Sequence, residues 1–216
     1  AKMAIDSKLH ANVLGKLAAG FEPSTVLKTI LNMPFPVGYA SLAKMGAPYA
    51  SKDGATLQVL SQLMTFKHLH SVIRESNGAY GGGLNYDGLG GTLNYYSYRD
   101  PNAIKSARAF EESLGAAKAS FADGKWDEKA LQEAKLAIFQ SVDAPSHISS
   151  EGAALFLEGI TDEMRQERRE RFLDVGLQDL QDANEKYLQN GEHNVFTVLG
   201  DASSLGADES WTVKSI

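Results

Sequence analysis

The stretch from Arg74 to Pro101, RESNGAYGGGLNYDGLGGTLNYYSYRDP, limits what this chain can fold into more than any other. Seven glycines (Gly78, Gly81, Gly82, Gly83, Gly88, Gly90, Gly91) fall within fourteen residues, with Tyr80, Tyr86, Tyr95, Tyr96 and Tyr98 on or beside them. Tyrosine suits a strand, whereas glycine weakens one unless a bulge, a bend or a second backbone needs the space. Asp87-Gly88 and Gly90-Gly91 read as the turn of a hairpin between strands at about 79–86 and 91–99. A turn does not account for Gly81 to Gly83.

The hairpin hangs from the surest helix of the chain, about residues 53–75. There Leu57, Leu60, Met64, Leu69, Val72 and Ile73 form one broad apolar face. Arg74 stands at its carboxyl end, where the helix dipole alone would favour a cation. Upstream, residues 6–19 have a helical pattern, and 25–33 and 36–43 are strand candidates separated by Pro34-Phe35-Pro36. Downstream, Asp100 is the expected N-cap and Pro101 the first helical residue of a helix over 102–119. Asp127 caps a helix at 128–142, and further helices are expected at 150–158, 161–174 and 177–190. The run EMRQERRERF within them mixes its charges and reads as a solvated helix face. His193 to Leu199 reads as a closing strand. Strands early, helices in the middle and a strand at the end predict an α+β fold. Its sheet is mixed and partly antiparallel, with helices packed on one face. The expected division is an extension or linker over 1–24 and one domain over 25–216.

Charge and composition remove several functions. A formal net charge of −6 argues against nucleic acid as a partner, which calls for a basic stripe. There is no cysteine, so disulfides and thiolate metal sites are excluded, and an intracellular compartment fits. No run of about 18 apolar residues marks a membrane span, so no membrane partner is expected. The first twenty residues lack the apolar core and cleavage site of a secretory signal and read as the interior of a longer chain.

The usual catalytic signatures are missing. His10, His68, His70, His147 and His193 form neither HExxH nor HxxEH. His68 and His70, two apart on a helix, point about 200° away from each other and read as ordinary surface or core-edge histidines. The glycine tract lacks the lysine of a phosphate-binding loop, and no GxSxG occurs.

Several blocks nevertheless resemble one known family closely. LKTILNMPFPVGYASLAKMGAPY, DGATLQVLSQLMTFKHLHSVIRESNGAYGGG and LNYYSYRDPN are similar to the carboxyl-terminal domain of pitrilysin/insulinase-family inverzincin metallopeptidases. The branch is the one that degrades cleaved mitochondrial presequences. The resemblance continues through EAKLAIFQSVDAP, FLEGITDEMRQERRERF, VFTVLGD and ESW, covering roughly residues 22–216. Its most specific part is Arg74-Glu75-x-x-Gly78-Ala79-Tyr80-Gly81-Gly82-Gly83. The sequence departs from the family at Ser76-Asn77, where Lys-Gly or Gly-Gly is more usual.

The resemblance implies a zinc metalloendopeptidase that degrades unstructured peptides in the mitochondrial matrix. It implies that zinc is held by an HxxEH motif and a distal glutamate in an amino-terminal half, the partner of this one, and that this chain alone binds none and is inactive. Arg74 and Tyr80 match the arginine and tyrosine that the family places across the chamber from the metal. Hydrolysis builds negative charge on the peptide oxygen, and a phenol donor at about 2.7–3.1 Å would stabilise it. An arginine fork suits substrate carbonyls or a carboxylate. Gly81, Gly82 and Gly83 would then let an extended peptide approach the sheet as an added strand. A non-catalytic, peptide-binding subunit of a two-chain metallopeptidase is the alternative.

Overall fold

The computed structural model describes residues 27–145, 147–189 and 194–215. The helix expected over 6–19 and the proposed boundary at 24/25 lie outside these residues. Six strands form one mixed sheet: β1 (Lys28–Asn32), β2 (Gly38–Met45), β3 (Gly81–Asp87), β4 (Thr92–Asp100), β5 (Val195–Gly200) and β6 (Thr212–Ser215). Their order across the sheet is β3-β4-β2-β5-β1-β6. The β3, β4, β2 and β5 neighbours run antiparallel, while β1 runs parallel to both β5 and β6. The mixed α+β sheet read from the sequence is therefore the observed one.

Strict alternation decides which face is covered. In β2, Gly38, Ala40, Leu42 and Lys44 are buried while Tyr39, Ser41 and Ala43 are only half so. The register carries the same face across the sheet through Leu84, Tyr95, Leu42 and Phe196, and through Ser97, Ala40, Val198 and Ile30. All of these are buried. Helices α1 (Lys52–Met64) and α2 (Ala103–Ala122) lie on that side, followed outward by α3 (Glu128–Val142), α5 (Asp162–Asp174) and α6 (Leu177–Ala183). A short α4 (Ala153–Glu158) precedes α5. At the centre Tyr95 is fully buried, its ring 5.6 Å from that of Phe110, and its hydroxyl faces Met64 Sδ at 3.9 Å.

Caps explain where the helices begin. Ser51 Oγ accepts from the Gly54 N–H at 2.9 Å, Asp127 from Ala130 at 2.9 Å and Thr161 from Met164 at 3.2 Å. One expectation is corrected here. Asp100 ends β4 and does not cap α2 directly; its Oδ1 accepts the Asn102 N–H at 2.7 Å, and the helix starts at Ala103. The intervening Pro101 lies in the turn that this bond closes.

A second correction concerns the charged run on α5. Arg168 is only 4% exposed. Its guanidinium donates to Gly54 O at 3.3 Å and Gln58 Oε1 at 2.6 Å, and lies 4.2 Å from the Tyr49 ring. The pairing explains why burial is tolerated: carbonyl and amide oxygens near the start of α1 satisfy the donors, and aromatic faces surround the charge. β6 has no counterpart among the sequence expectations; its residues are all exposed and carry no apolar alternation.

The helix under the glycine tract continues past Met64 as a π-helical segment, Thr65–Ser76, running directly to Arg74. Such wide turns are rare and concentrate at functional sites. Its last turn fixes the direction in which the chain leaves for the hairpin.

Candidate functional site

Arg74 lies in that last turn, and the chain reverses immediately after it. The N–H groups of Asn77, Gly78 and Ala79 donate to the carbonyls of Val72, Arg74 and Ile73, each at 3.1 Å. Gly78 has φ of +81°, the left-handed conformation that a side chain would disfavour. Two residues later Tyr80 stands at the threshold of β3. Arg74 and Tyr80 thus border one open hollow of about 450 Å³, together with His70, Glu75 and Ala79. Of the residues singled out from the sequence, these two are brought together. Tyr80 is 72% exposed, so its hydroxyl is available to an incoming group. Burial, and after it the Arg74 cation, hold His70 below the usual imidazole range.

The turn is tied down from the side. Asn102 Nδ2 donates to the Asn77 carbonyl at 2.9 Å, and Asn77 Nδ2 donates to Ser106 Oγ at 3.2 Å. Asn77, a departure from the resembled pattern, therefore anchors the Arg74 turn to the start of α2.

The three glycines divide in function. A Cβ on Gly82 would fall 2.6 Å from Ile73 Cγ2, and one on Gly83 would fall 2.8 Å from Thr65 Cγ2. These two let the helix lie close against β3. A Cβ on Gly81 would meet nothing nearer than Tyr98 Cβ at 4.0 Å. β3 is an edge strand, paired with β4 alone among the described residues. Its outer side is partly closed at Leu84, whose N–H donates to Thr65 Oγ1 at 2.9 Å and whose carbonyl accepts from it at 3.2 Å. At the other end of β3, beside Tyr80, Gly81 is half-buried, while Gly82 and Gly83 are buried against the helix.

Sequence reasoning missed what stands behind Tyr80. Its ring meets the edge of Tyr98 at 6.1 Å, Tyr98 meets Tyr39 at 5.5 Å, and Tyr39 meets Phe35 at 6.3 Å. The Tyr80 N–H donates to the Arg99 carbonyl at 3.3 Å. Between the pairs Gly38–Asp100 and Ala40–Ser97, one residue of β2, Tyr39, faces two of β4, Tyr98 and Arg99. This bulge puts Arg99 at φ +49°, the one non-glycine residue with positive φ among those described. The crowding of tyrosines around SYRDP was the available signal; the bulge had none.

No group of three His, Asp or Glu side chains among the described residues is placed to hold a metal ion. The arrangement offers instead an exposed phenol donor and a guanidinium on one hollow, beside the Gly81 end of an edge strand.

Comparison with solved structures gives the class of fold. The chain superposes on pitrilysin with a TM-score of 0.58 and 14% identity, covering 96% of this chain and 25% of that one. It superposes on a protease from Helicobacter pylori with a TM-score of 0.61 and 15% identity, covering 91% and 53%. At these identities the likeness is one of fold, that of pitrilysin-type peptidase domains. The family model described as the PreP C-terminal domain matches residues 28–201, and the chain belongs to that family. Among curated relatives, the mitochondrial presequence protease of Debaryomyces hansenii is 61% identical over 194 residues, 87% of this chain and 18% of the relative. That of Saccharomyces cerevisiae is 47% identical over 189 residues, 87% and 19%. The chain thus spans about a fifth of the length of the relatives it matches.

Proposed function

We propose that this chain is the carboxyl-terminal part of a zinc metalloendopeptidase that degrades unstructured peptides, cleaved presequences among them, in the mitochondrial matrix. The domain is taken as residues 25–216, with 1–24 as the segment joining it to the amino-terminal half. The observation that carries the reading is the placement of Arg74 and Tyr80 on one hollow at the Gly81 end of an edge strand. The names of the relatives, all mitochondrial presequence proteases, support the substrate class and the compartment.

The side chains of this chain do not fit a zinc ion among the described residues. By the family resemblance, the metal and its chemistry would belong to the other half of the protease. What this chain supplies is binding and charge stabilisation. The strand edge that begins at Gly81 would pair with an extended peptide backbone, with Gly81 leaving room for it while Gly82 and Gly83 keep the helix close behind. Arg74 would hold a substrate carbonyl or carboxylate through its fixed fork of donors. The Tyr80 hydroxyl would donate to the scissile carbonyl oxygen as negative charge builds there, a contact that strengthens in the transition state.

The test compares two proteins: this chain alone, and the same chain within its full-length protein. The full-length protein should hold one zinc and cleave a fluorogenic presequence peptide. The isolated chain should do neither. One tightly held zinc per isolated chain, or no zinc in the full-length protein, would overturn the reading. The second of these results would favour a peptide-binding subunit without its own metal.

A further inference from the structure

Arg99 combines an unusual backbone conformation with an exposed side chain. Its backbone sits at φ +49°, a conformation that is costly for a residue with a side chain and persists where surrounding structure enforces it, often beside functional sites. The helix that follows, α2, begins four residues later, so its dipole disfavours a cation at this end. Among the described residues the ion pairs do not include Arg99. Its guanidinium lies 5.6 Å from the Tyr98 ring, and that ring packs edge-on against Tyr80 at 6.1 Å. The side chain is exposed, and its main-chain carbonyl receives the Tyr80 N–H at 3.3 Å. The bulge therefore does two things at once. It fixes the backbone of Tyr80, and it carries a cation onto the face of the next ring in the aromatic row.

We propose that Arg99 forms a second substrate subsite, one that binds a carboxylate side chain of the peptide one ring beyond Tyr80. The proposal rests on the reading of Arg74 and Tyr80 given above and extends it to specificity. A planar guanidinium beside a tyrosine ring presents its donors in the geometry that a carboxylate accepts in pairs. Arg74 lines the hollow with Tyr80, His70 and Glu75, a hollow that Arg99 does not line, and serves a different part of the peptide.

The experiment uses the full-length protease and pairs of peptides that differ by Glu or Gln at one position, scanned along the peptide. At one position the wild-type protein should prefer Glu by about tenfold in KM, with kcat nearly equal for the pair. Arg99→Gly removes the cation and suits the positive φ, so it should fold with an unchanged or raised Tm and lose the preference. Arg99→Asn, also tolerant of this conformation, should behave alike and guards against a misfolded glycine variant. Kd values for the same peptide pairs, measured with a Tyr80→Phe background, read the subsite without reference to turnover. A Glu preference that vanishes with Arg99 in both measurements supports the subsite, whatever Tyr80 proves to do. A preference that survives Arg99→Gly and Arg99→Asn, or no position with a preference in the wild type, overturns it.

Discussion

The side-chain amide of Asn102 holds the main-chain carbonyl of Asn77 at 2.9 Å. Through that bond the start of α2 grips the turn between Arg74 and Tyr80, and Asn77 returns the contact to Ser106 at 3.2 Å. Asn102→Ala should cost about 0.5–1.5 kcal/mol of stability, the usual net worth of one hydrogen bond. Its effect on activity should be larger, roughly tenfold in kcat/KM, because a shift of about 1 Å in a catalytic group can cost up to 10²-fold. Thermal melts and steady-state kinetics on the full-length protein check both. A stability loss with unchanged kcat/KM would show that the turn keeps its geometry without the asparagine pair.

For Tyr80→Phe the expected result is a fall in kcat of about 10²–10³, the usual loss for one oxyanion donor. KM should change much less, and the fold should persist, since only an exposed hydroxyl is removed. Unaltered kcat with zinc intact would reduce Tyr80 to a member of the aromatic row.

Arg74→Lys separates a cap from a clamp. Lysine keeps the charge at the helix end, so Tm should hardly move. It loses the planar fork, and kcat/KM should drop at least about tenfold, roughly 1.4 kcal/mol. Near-normal turnover in the folded variant would leave Arg74 a purely structural residue.

The glycines give the cleanest contrast. Gly82→Ala forces a methyl to 2.6 Å from Ile73 Cγ2 and 2.9 Å from the Tyr96 carbonyl. It should destabilise by about 1–3 kcal/mol, as overpacking does. Gly81→Ala meets nothing closer than 4.0 Å, and its stability should stay within about 0.5 kcal/mol of wild type. If a peptide pairs there, Gly81→Ala should still raise KM severalfold. Equal denaturation midpoints for the two variants would contradict the packing difference.

Much of this was legible in the sequence, for reasons that vary by element. The α1 helix, the hairpin strands and α3 announce themselves through apolar period and capping residues. Arg74 and Tyr80 were found because they sit in one contiguous motif. Their mutual placement needed the turn after Ser76, which the sequence marks by Gly78. Arg168 was misread because a mixed-charge run gives no sign of which residue faces inward; the oxygens of Tyr49, Gly54 and Gln58 and the rings around it, all but Phe172 distant in sequence, make its burial tolerable. β6 was missed because Thr212–Ser215 is held by main-chain pairing to β1 and buries no side chain. The bulge at Arg99 depends on a register between β2 and β4 that no local pattern encodes. The three glycines looked like one feature, and they are not: Gly82 and Gly83 serve the helix, while Gly81 faces open space.

The π-helical segment has a consequence for where this domain tolerates changes in length. Over Thr65–Ser76 the chain winds more widely than an α-helix, and the Asn77 N–H reaches back five residues to Val72. Adding or deleting one residue there would rotate everything beyond it by on the order of 100°. Arg74 would swing off the hollow while Tyr80, pinned to Arg99, stayed in place. The exposed stretch around Ile148–Ser150 has no such obligation: it carries no buried side chain and borders none of the residues around Tyr80. Insertions of several residues should be accepted there, whereas a single-residue change between Thr65 and Tyr80 should abolish turnover even in a protein that still folds.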